Sequence, residues 1–208
     1  DDDRAEALSE EGLRLSRALQ DRRSAAISLI TLGNIARRRG DLDRAADLFG
    51  EALALFEELG HGRGMAYSLC NLGVVALERG EAGRALELHR ESLGLYEALK
   101  DKAGRAFALI NVADAARCLG EESRAVSLYE ESLALHRELG NERGIARALD
   151  HLERVAVAEH GRPASGATLK RSCKARFWNL LYSPGGGGIS QLYFAAVATS
   201  LSTSGGTS

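Results

Sequence analysis

Amide-bearing side chains lie at matching places in successive forty-residue segments, and they are suited to binding a peptide backbone. One row of aligned positions holds Thr31, Asn71, Asn111 and His151. A second row holds Asn34, Val74, Asp114 and Arg154, with Arg38 one helical turn beyond Asn34. An asparagine amide can donate to a peptide carbonyl and accept from a peptide N–H at the same time. A ladder of such groups could therefore hold an extended segment without reading its sequence.

Apolar side chains accompany these polar rows. They are Ile27, Ile30, Tyr67, Cys70, Phe107 and Ile110. Pockets with aromatic edges and few charges suit a peptide or a partner's helix. The alternative is structural, because asparagines can bond a neighbouring helix and aromatic rings can pack between helices. If Asn71 and Asn111 bind a partner, their replacement by alanine weakens binding and leaves thermal unfolding nearly unchanged. If they are structural, stability falls instead.

Motifs for catalysis or metal binding are missing from the sequence. None of the five histidines belongs to a His-Glu-x-x-His motif, so we expect exposed histidines and no metal site. The segment from Gly60 to Gly64 resembles a phosphate-binding loop, but it follows a helix and lacks the lysine-serine ending of a P-loop. We predict a turn there. No nucleophile or carboxylate pair has a catalytic spacing, so we expect no enzyme, cofactor or small-molecule substrate.

Composition and charge argue against several other classes of function. The hydrophobic content of 45% and charged content of 27% are ordinary for a globular chain. A formal net charge of −2 gives no electrostatic support for direct nucleic-acid binding. The three cysteines form no Cys-x-x-Cys pair, which predicts small apolar fillers in a reducing compartment. Since no signal peptide or membrane-spanning run is visible, we expect a cytoplasmic protein without membrane contact.

The forty-residue period determines which elements carry these side chains. Gly40, Gly80 and Gly120 are in register, and an Arg-Ala step follows each glycine at the same offset. A fixed period of this length is typical of stacked supersecondary units rather than of one closed core. Enzymes are rarely built this way, whereas binding scaffolds usually are.

Each unit divides into two helical halves, here named helix A and helix B. In the second unit, apolar spacings of three and four predict helix A from roughly Arg63 to Glu78 and helix B from roughly Gly83 to Leu99. Gly80 is expected to end helix A, because glycine tolerates positive φ. Asp43 and Ser123 are expected to cap the helices that follow them.

Small residues mark places where two helices approach closely. One such row consists of Gly33, Gly73 and Ala113. The missing side chain lets a neighbouring helix approach, and large side chains fill the remaining space. A larger residue at Gly73 should cost about 1–3 kcal/mol through overpacking.

These positions together resemble the tetratricopeptide repeat (TPR) family. The matching residues are Leu32-Gly33, Gly40, Ala45, Phe49, Ala52 and Leu53, then Leu72-Gly73, Ala76, Gly80, Ala85 and Leu93, then Ala113, Gly120, Ala125, Tyr129 and Leu133. Leucine replaces the family's tryptophan, and the period exceeds the usual one of about 34 residues. The long repeats are similar to those of kinesin light chain and of bacterial multidomain ATPase transcription regulators. The phrase Glu57-Glu58-Leu59-Gly60 particularly resembles the regulators.

The resemblance implies an all-α fold, a right-handed superhelical α-solenoid of antiparallel helix pairs with helix A on the concave face. That face would then bind a protein or peptide, through Thr31, Asn34, Arg38, Tyr67, Asn71, Phe107, Asn111, Asp114, His151 and Arg154. The basic clamp of chaperone-binding members is not reproduced, because Ile30 and Cys70 stand where it needs positive charge. The alternative function is a regulatory sensor arm of a bacterial ATPase or transcription regulator, which restrains an effector until binding shifts the array.

The repeat register also predicts the organisation of the chain. Residues 1–160 form the array: a lone helix B at 1–20, complete repeats at 21–60, 61–100 and 101–140, and a fourth helix A at 141–160. We expect a degenerate capping helix at 161–182 and a flexible tail at 183–208. Because the chain opens in mid-repeat and its only methionine is Met65, we expect a fragment of a longer protein.

Overall fold

The computed structural model describes residues 2–160, which form eight α-helices and no strand. The helices are α1 Asp2–Ala18, α2 Arg22–Arg38, α3 Leu42–Glu58, α4 Gly62–Glu78, α5 Ala82–Ala98, α6 Lys102–Cys118, α7 Glu122–Glu138 and α8 Glu142–His160. The helices predicted for the second unit match α4 and α5 to within one residue at each end. The predicted capping helix at 161–182 and tail at 183–208 lie outside the described residues.

Consecutive helices pack against one another along the array. The structure divides into a first unit, Asp1–Leu152, and a second unit of which it describes residues 153–160. Within the first unit each helix from α1 to α6 packs against the next one in the chain, and α4 also packs against α6. Helices α2, α4 and α6 are helices A, and α1, α3, α5 and α7 are helices B. The all-α solenoid of helix pairs is confirmed.

Glycine ends the helices A, as the register predicts. Gly40, Gly80 and Gly120 have φ of 82°, 79° and 80°, in the left-handed region that other residues rarely adopt. The predicted capping residues are wrong, because each helix B begins sooner after the glycine than expected. Asp41 is the N-cap of α3, where its carboxylate accepts a hydrogen bond from the Arg44 N–H at 3.1 Å. Asp43 already lies inside α3, and Ser123 lies inside α7.

A ring from helix B lies against a glycine of helix A within the same repeat, and we call this the intra-repeat ring contact. Phe49 of α3 covers Gly33 of α2 so closely that a Cβ atom on the glycine would come within 2.6 Å of the ring. His89 of α5 covers Gly73 of α4 in the same way. Tyr129 occupies the third aligned position, where helix A has Ala113 in place of the glycine, and all three rings have no exposed surface. The predicted close approach at Gly33 and Gly73 is confirmed.

A second ring, seven residues further along helix B, lies against the helix A of the next repeat. In this inter-repeat ring contact, Phe56 covers Gly64 so closely that a Cβ atom would come within 2.5 Å of it. Tyr96 covers Gly104, and His136 covers Gly144, at least as closely. Helices α3 and α5 therefore each hold their own helix A with one ring and the following helix A with the other.

Two histidines and one cysteine are placed differently from what the sequence suggested. His89 is fully buried and His136 is 5% exposed, although we expected exposed histidines. The flat imidazole takes the place that phenylalanine or tyrosine fills in the other repeats. Cys70 is a buried filler as expected, but Cys118 is exposed near the end of α6.

The inter-repeat ring contact leads to a stability prediction at Gly104. Replacing Gly104 with alanine should lower the free energy of unfolding by about 1–3 kcal/mol, because the new methyl group meets the Tyr96 ring. Gly94→Ala is the matched control. Gly94 is exposed within α5 and has open space where its Cβ atom would be. The control should be more stable than the wild type by about 0.5–1 kcal/mol through helix propensity. Urea unfolding of the full chain measures both, and equal effects would contradict the ring contact.

Candidate binding groove

Helices α2, α4 and α6 line one open cavity of about 510 Å³, here called the groove. Its lining from these helices is Ile27, Ile30 and Thr31, then Arg63, Gly64 and Tyr67, then Ala103, Gly104 and Phe107. Phe56 and Tyr96, the rings of two inter-repeat contacts, also line it. The contacts that stack the repeats therefore also shape this cavity.

The walls of the groove are largely apolar and partly open to solvent. Ile27 and Tyr67 are 53% and 39% exposed. The rings of Tyr67 and Phe107 stack with their centroids 6.2 Å apart, a favourable offset geometry. Arg63 and Asp101, which are the charged lining residues, pair with each other at 2.9 Å between Nε and Oδ2. The groove thus offers exposed apolar surface with little unpaired charge.

An arginine continues the row of groove residues. Arg147 follows Ile27, Tyr67 and Phe107 at the forty-residue period, and its guanidinium lies 5.4 Å from the centroid of the Phe107 ring. A guanidinium over an aromatic face is attracted by the ring quadrupole. Among the described residues, no carboxylate forms an ion pair with Arg147, whose side chain is exposed. The sequence reasoning missed Arg147, although the alignment of its position with Phe107 was a sufficient signal.

Three of the predicted polar residues direct a donor back to their own helix. The Thr31 hydroxyl donates to the Ile27 carbonyl at 3.1 Å. The side-chain amides of Asn34 and Asn71 donate to the carbonyls of Ile30 and Tyr67 at 3.0 and 2.9 Å. An amide has a second N–H and an oxygen, so these bonds leave Asn34 and Asn71 with capacity for another partner.

Asn111 differs from the aligned Asn71 because it is buried. It is only 3% exposed, and its amide nitrogen lies 3.3 Å from the Phe107 carbonyl and 3.4 Å from the Cys70 sulfur. Its oxygen accepts from Arg147 at 3.5 Å. These contacts join α4, α6 and α8, which favours the structural alternative at this position. Cys70 and Ile110, expected to line apolar pockets, are 1% and 0% exposed and belong to the core.

Asp114 and His151 lie together in a polar cluster with Tyr129. The Tyr129 hydroxyl donates to Asp114 Oδ1 at 2.6 Å, and His151 Nδ1 lies 3.0 Å from the same oxygen. Burial acts to raise the pKa of Asp114, but the hydrogen bonds from His151 and Tyr129 bring the pKa below its usual value. The Tyr129 and His151 rings stack with centroids 5.0 Å apart. This cluster braces α6, α7 and α8 against one another.

All ten predicted binding residues stay predictions, among them two arginines. Arg38 is exposed at the end of α2 and does not line the groove cavity. Arg154 belongs to the second unit. Over the described part of the chain, no group of three or more histidine, cysteine or acidic side chains gathers as metal ligands would. Nor does any helix within residues 2–160 combine the length and apolar character needed to cross a membrane.

Comparisons with known proteins agree with this architecture. Two tetratricopeptide repeat models match residues 62–138 and 25–59, together more than half of the chain. No curated protein sequence matches significantly.

Solved structures that resemble the chain include BtubC (BKLC) from P. vanneervenii, with a TM-score of 0.69, 21% identity, and coverage of 90% of this chain and 76% of that one. The MamA protein gives a TM-score of 0.54 at 14% identity, with 88% of this chain and 98% of that one covered. The repeats of a putative kinesin light chain from Podosopora anserina give 0.50 at 16%, with 86% and 96% covered. At these identities the likeness shows the fold.

The different surroundings of Asn71 and Asn111 predict different costs of replacement by alanine. Asn111→Ala should lower the free energy of unfolding by about 1–3 kcal/mol, since it removes a buried amide and its contacts to Cys70 and Arg147. Asn71→Ala, at the aligned and half-buried position, should change it by less than about 0.5 kcal/mol. Thermal unfolding of the two single variants checks this. Equal losses at both positions would contradict the assignment of Asn111 to the core.

Proposed function

Because the chain belongs to the tetratricopeptide repeat family, we propose that it is a scaffold that binds a protein partner through a peptide segment in the groove. Proteins of this family generally mediate protein–protein interactions and are generally non-catalytic. The observation that carries the proposal is that Ile27, Tyr67 and Phe107 line the groove in one row and that Arg147, the next residue of the row, lies over the Phe107 ring. Apolar and aromatic surface is followed in this row by Arg147, which forms no ion pair with a carboxylate among the described residues.

The apolar end of the row supplies binding energy. Covering apolar surface is worth about 25 cal/mol per Å², and the half-exposed Ile27 and Tyr67 present such surface together. Tyrosine is also among the residues that most often dominate binding at interfaces. The Tyr67 ring is already stacked on Phe107, so little side-chain freedom is lost when a ligand covers it. An apolar side chain of the partner therefore fits between α2, α4 and α6.

The Arg147 end of the row gives the segment a direction. The Arg147 guanidinium, held over a ring and without a carboxylate partner among residues 2–160, favours an acidic group of the ligand through charge-assisted hydrogen bonds. The proposed segment thus places apolar side chains near α2 and α4 and a carboxylate near α8. The predicted amides Asn34 and Asn71 lie along the same helices and retain capacity to bind its backbone.

A regulatory sensor arm is a second, compatible function, since a sensor works by binding. It is supported by the phrase Glu57-Glu58-Leu59-Gly60, which resembles the bacterial ATPase and transcription regulators. Sequencing the complete gene tests it. A nucleotide-binding or helix-turn-helix domain in the same reading frame would support the sensor arm, and a gene of repeats alone would end it.

Selection of peptides against the full chain tests the groove. A random dodecapeptide phage library is the probe, and each enriched peptide is then synthesised and titrated by calorimetry. Tyr67→Ala should weaken binding at least about tenfold, because it removes the central apolar wall. Arg147→Gln should weaken only the peptides that carry a carboxylate, and added salt should do the same.

Leu139→Ala is the control for exposure, since Leu139 is 42% exposed but does not line the groove. It should leave the affinities unchanged. If no peptide is enriched, or if Tyr67→Ala binds as tightly as the wild type, the groove is not the binding site.

A further inference from the structure

The imidazole of His89 is buried without a hydrogen bond. Its side chain has no exposed surface, and both ring nitrogens lack a hydrogen-bond partner in the described structure. The ring lies directly against the backbone of α4 at Gly73, closer than any Cβ atom would permit. Buried polar atoms without a partner are rare and costly, so they call for an explanation.

The aligned rings show that His89 departs from the pattern of its row. Phe49 fills the same contact in the first repeat and has no polar atom to satisfy. Tyr129 fills it in the third repeat and places its hydroxyl on Asp114. His89 is as fully buried as these two rings, but it has neither the apolar character of the first nor the partner of the second. The buried position of His89 suits a neutral imidazole, because the described residues place no hydrogen-bond acceptor near the two N–H groups that a protonated ring would carry.

Charged groups around His89 do little to favour the protonated ring. One turn away on α5 lie Ala85, Leu86, Ser92 and Leu93, which carry no charge. On α4, one turn from Gly73, the titratable group is the Cys70 thiol, whose pKa is raised by burial so that it stays neutral. On α6, Asp114 favours the charged ring, but it is already bonded to Tyr129 and His151.

Burial outweighs Asp114 and lowers the pKa of His89 to about 4. A histidine in an open or unfolded chain titrates near 6.5. Well above pH 6.5 the ring is neutral in both states, so a change of pH there does not alter the stability through His89. As the pH falls from 6.5 toward 4, the open state binds the proton more readily, and the closed hairpin loses stability.

We propose that His89 makes the α4–α5 hairpin an acid-labile joint: the buried place against Gly73 accommodates the neutral imidazole only, so in acid the ring is protonated in the open hairpin and the open state becomes more populated. Stability in a repeat array is a sum of local terms, so the opening is centred on this repeat. Helix α4 carries Tyr67, and opening would therefore remove the middle wall of the groove. Release of a partner in acid would require that the groove binds one, so this consequence rests on the proposed function. The opening of the α4–α5 hairpin in acid does not depend on it.

Hydrogen exchange of the full chain at pH 7 and pH 5 tests the joint. Rates are first corrected for the intrinsic pH dependence of amide exchange. Protection of the α4 and α5 amides should fall at least tenfold more than that of the α2 and α3 amides. His89→Phe should abolish this difference, because phenylalanine fills the equivalent contact at Gly33. His136→Phe, a matched change at another buried histidine, should leave the loss in α4 and α5 as in the wild type.

The proposal is overturned if His89→Phe loses the same protection as the wild type, or if all helices lose protection equally. Should His89→Phe fail to fold, NMR of the wild-type imidazole decides. The joint requires a neutral His89 ring in the folded chain at pH 5.5. A ring that is protonated at that pH while α4 and α5 stay protected would refute it.

Discussion

The array depends on one repeated contact, a flat ring of helix B pressed against a glycine of helix A. At Gly33 and Gly73 a Cβ atom would occupy the space of the ring, so these helices approach as closely as they do because a glycine stands there; in the third repeat Ala113 holds the aligned position. On α3 and on α5, two such contacts seven residues apart fix one helix A of the same repeat and one of the next. Phe56 and Tyr96 also line the groove, so the rings that stack the repeats form part of the wall of the space in which a partner would lie.

This contact selects for the shape of the ring and leaves its chemistry free to differ. Phenylalanine, histidine and tyrosine all fill the intra-repeat contact, yet they give the three repeats different properties. Tyr129 bonds Asp114 and thereby joins the third repeat to His151 of α8. Within the described residues His89 has no such partner, and on this rests the proposal that protonation opens the middle repeat. Repeats of nearly identical geometry can therefore differ in stability and in response to pH.

Much of the fold was predictable because the period of the sequence is the period of the structure. Glycines at helix ends, the Gly33 and Gly73 row and the helix boundaries all follow from residues that share a place in each repeat. The burial of Asn111 was not predictable from its own row, because it depends on a neighbour in another row. Asn111 lies against Cys70, whereas the aligned neighbour of Asn71 is the larger Ile30. The smaller side chain leaves room for the amide inside the array.

The most direct test of the ring contact is a double-mutant cycle between Tyr96 and Gly104. The free energy of unfolding is measured for the wild type, Gly104→Ala, Tyr96→Leu and the double variant. If the Tyr96 ring is what requires a glycine at position 104, Gly104→Ala lowers the free energy of unfolding by about 1–3 kcal/mol when residue 96 is tyrosine and hardly at all when it is leucine. The same cost in both backgrounds would contradict the account.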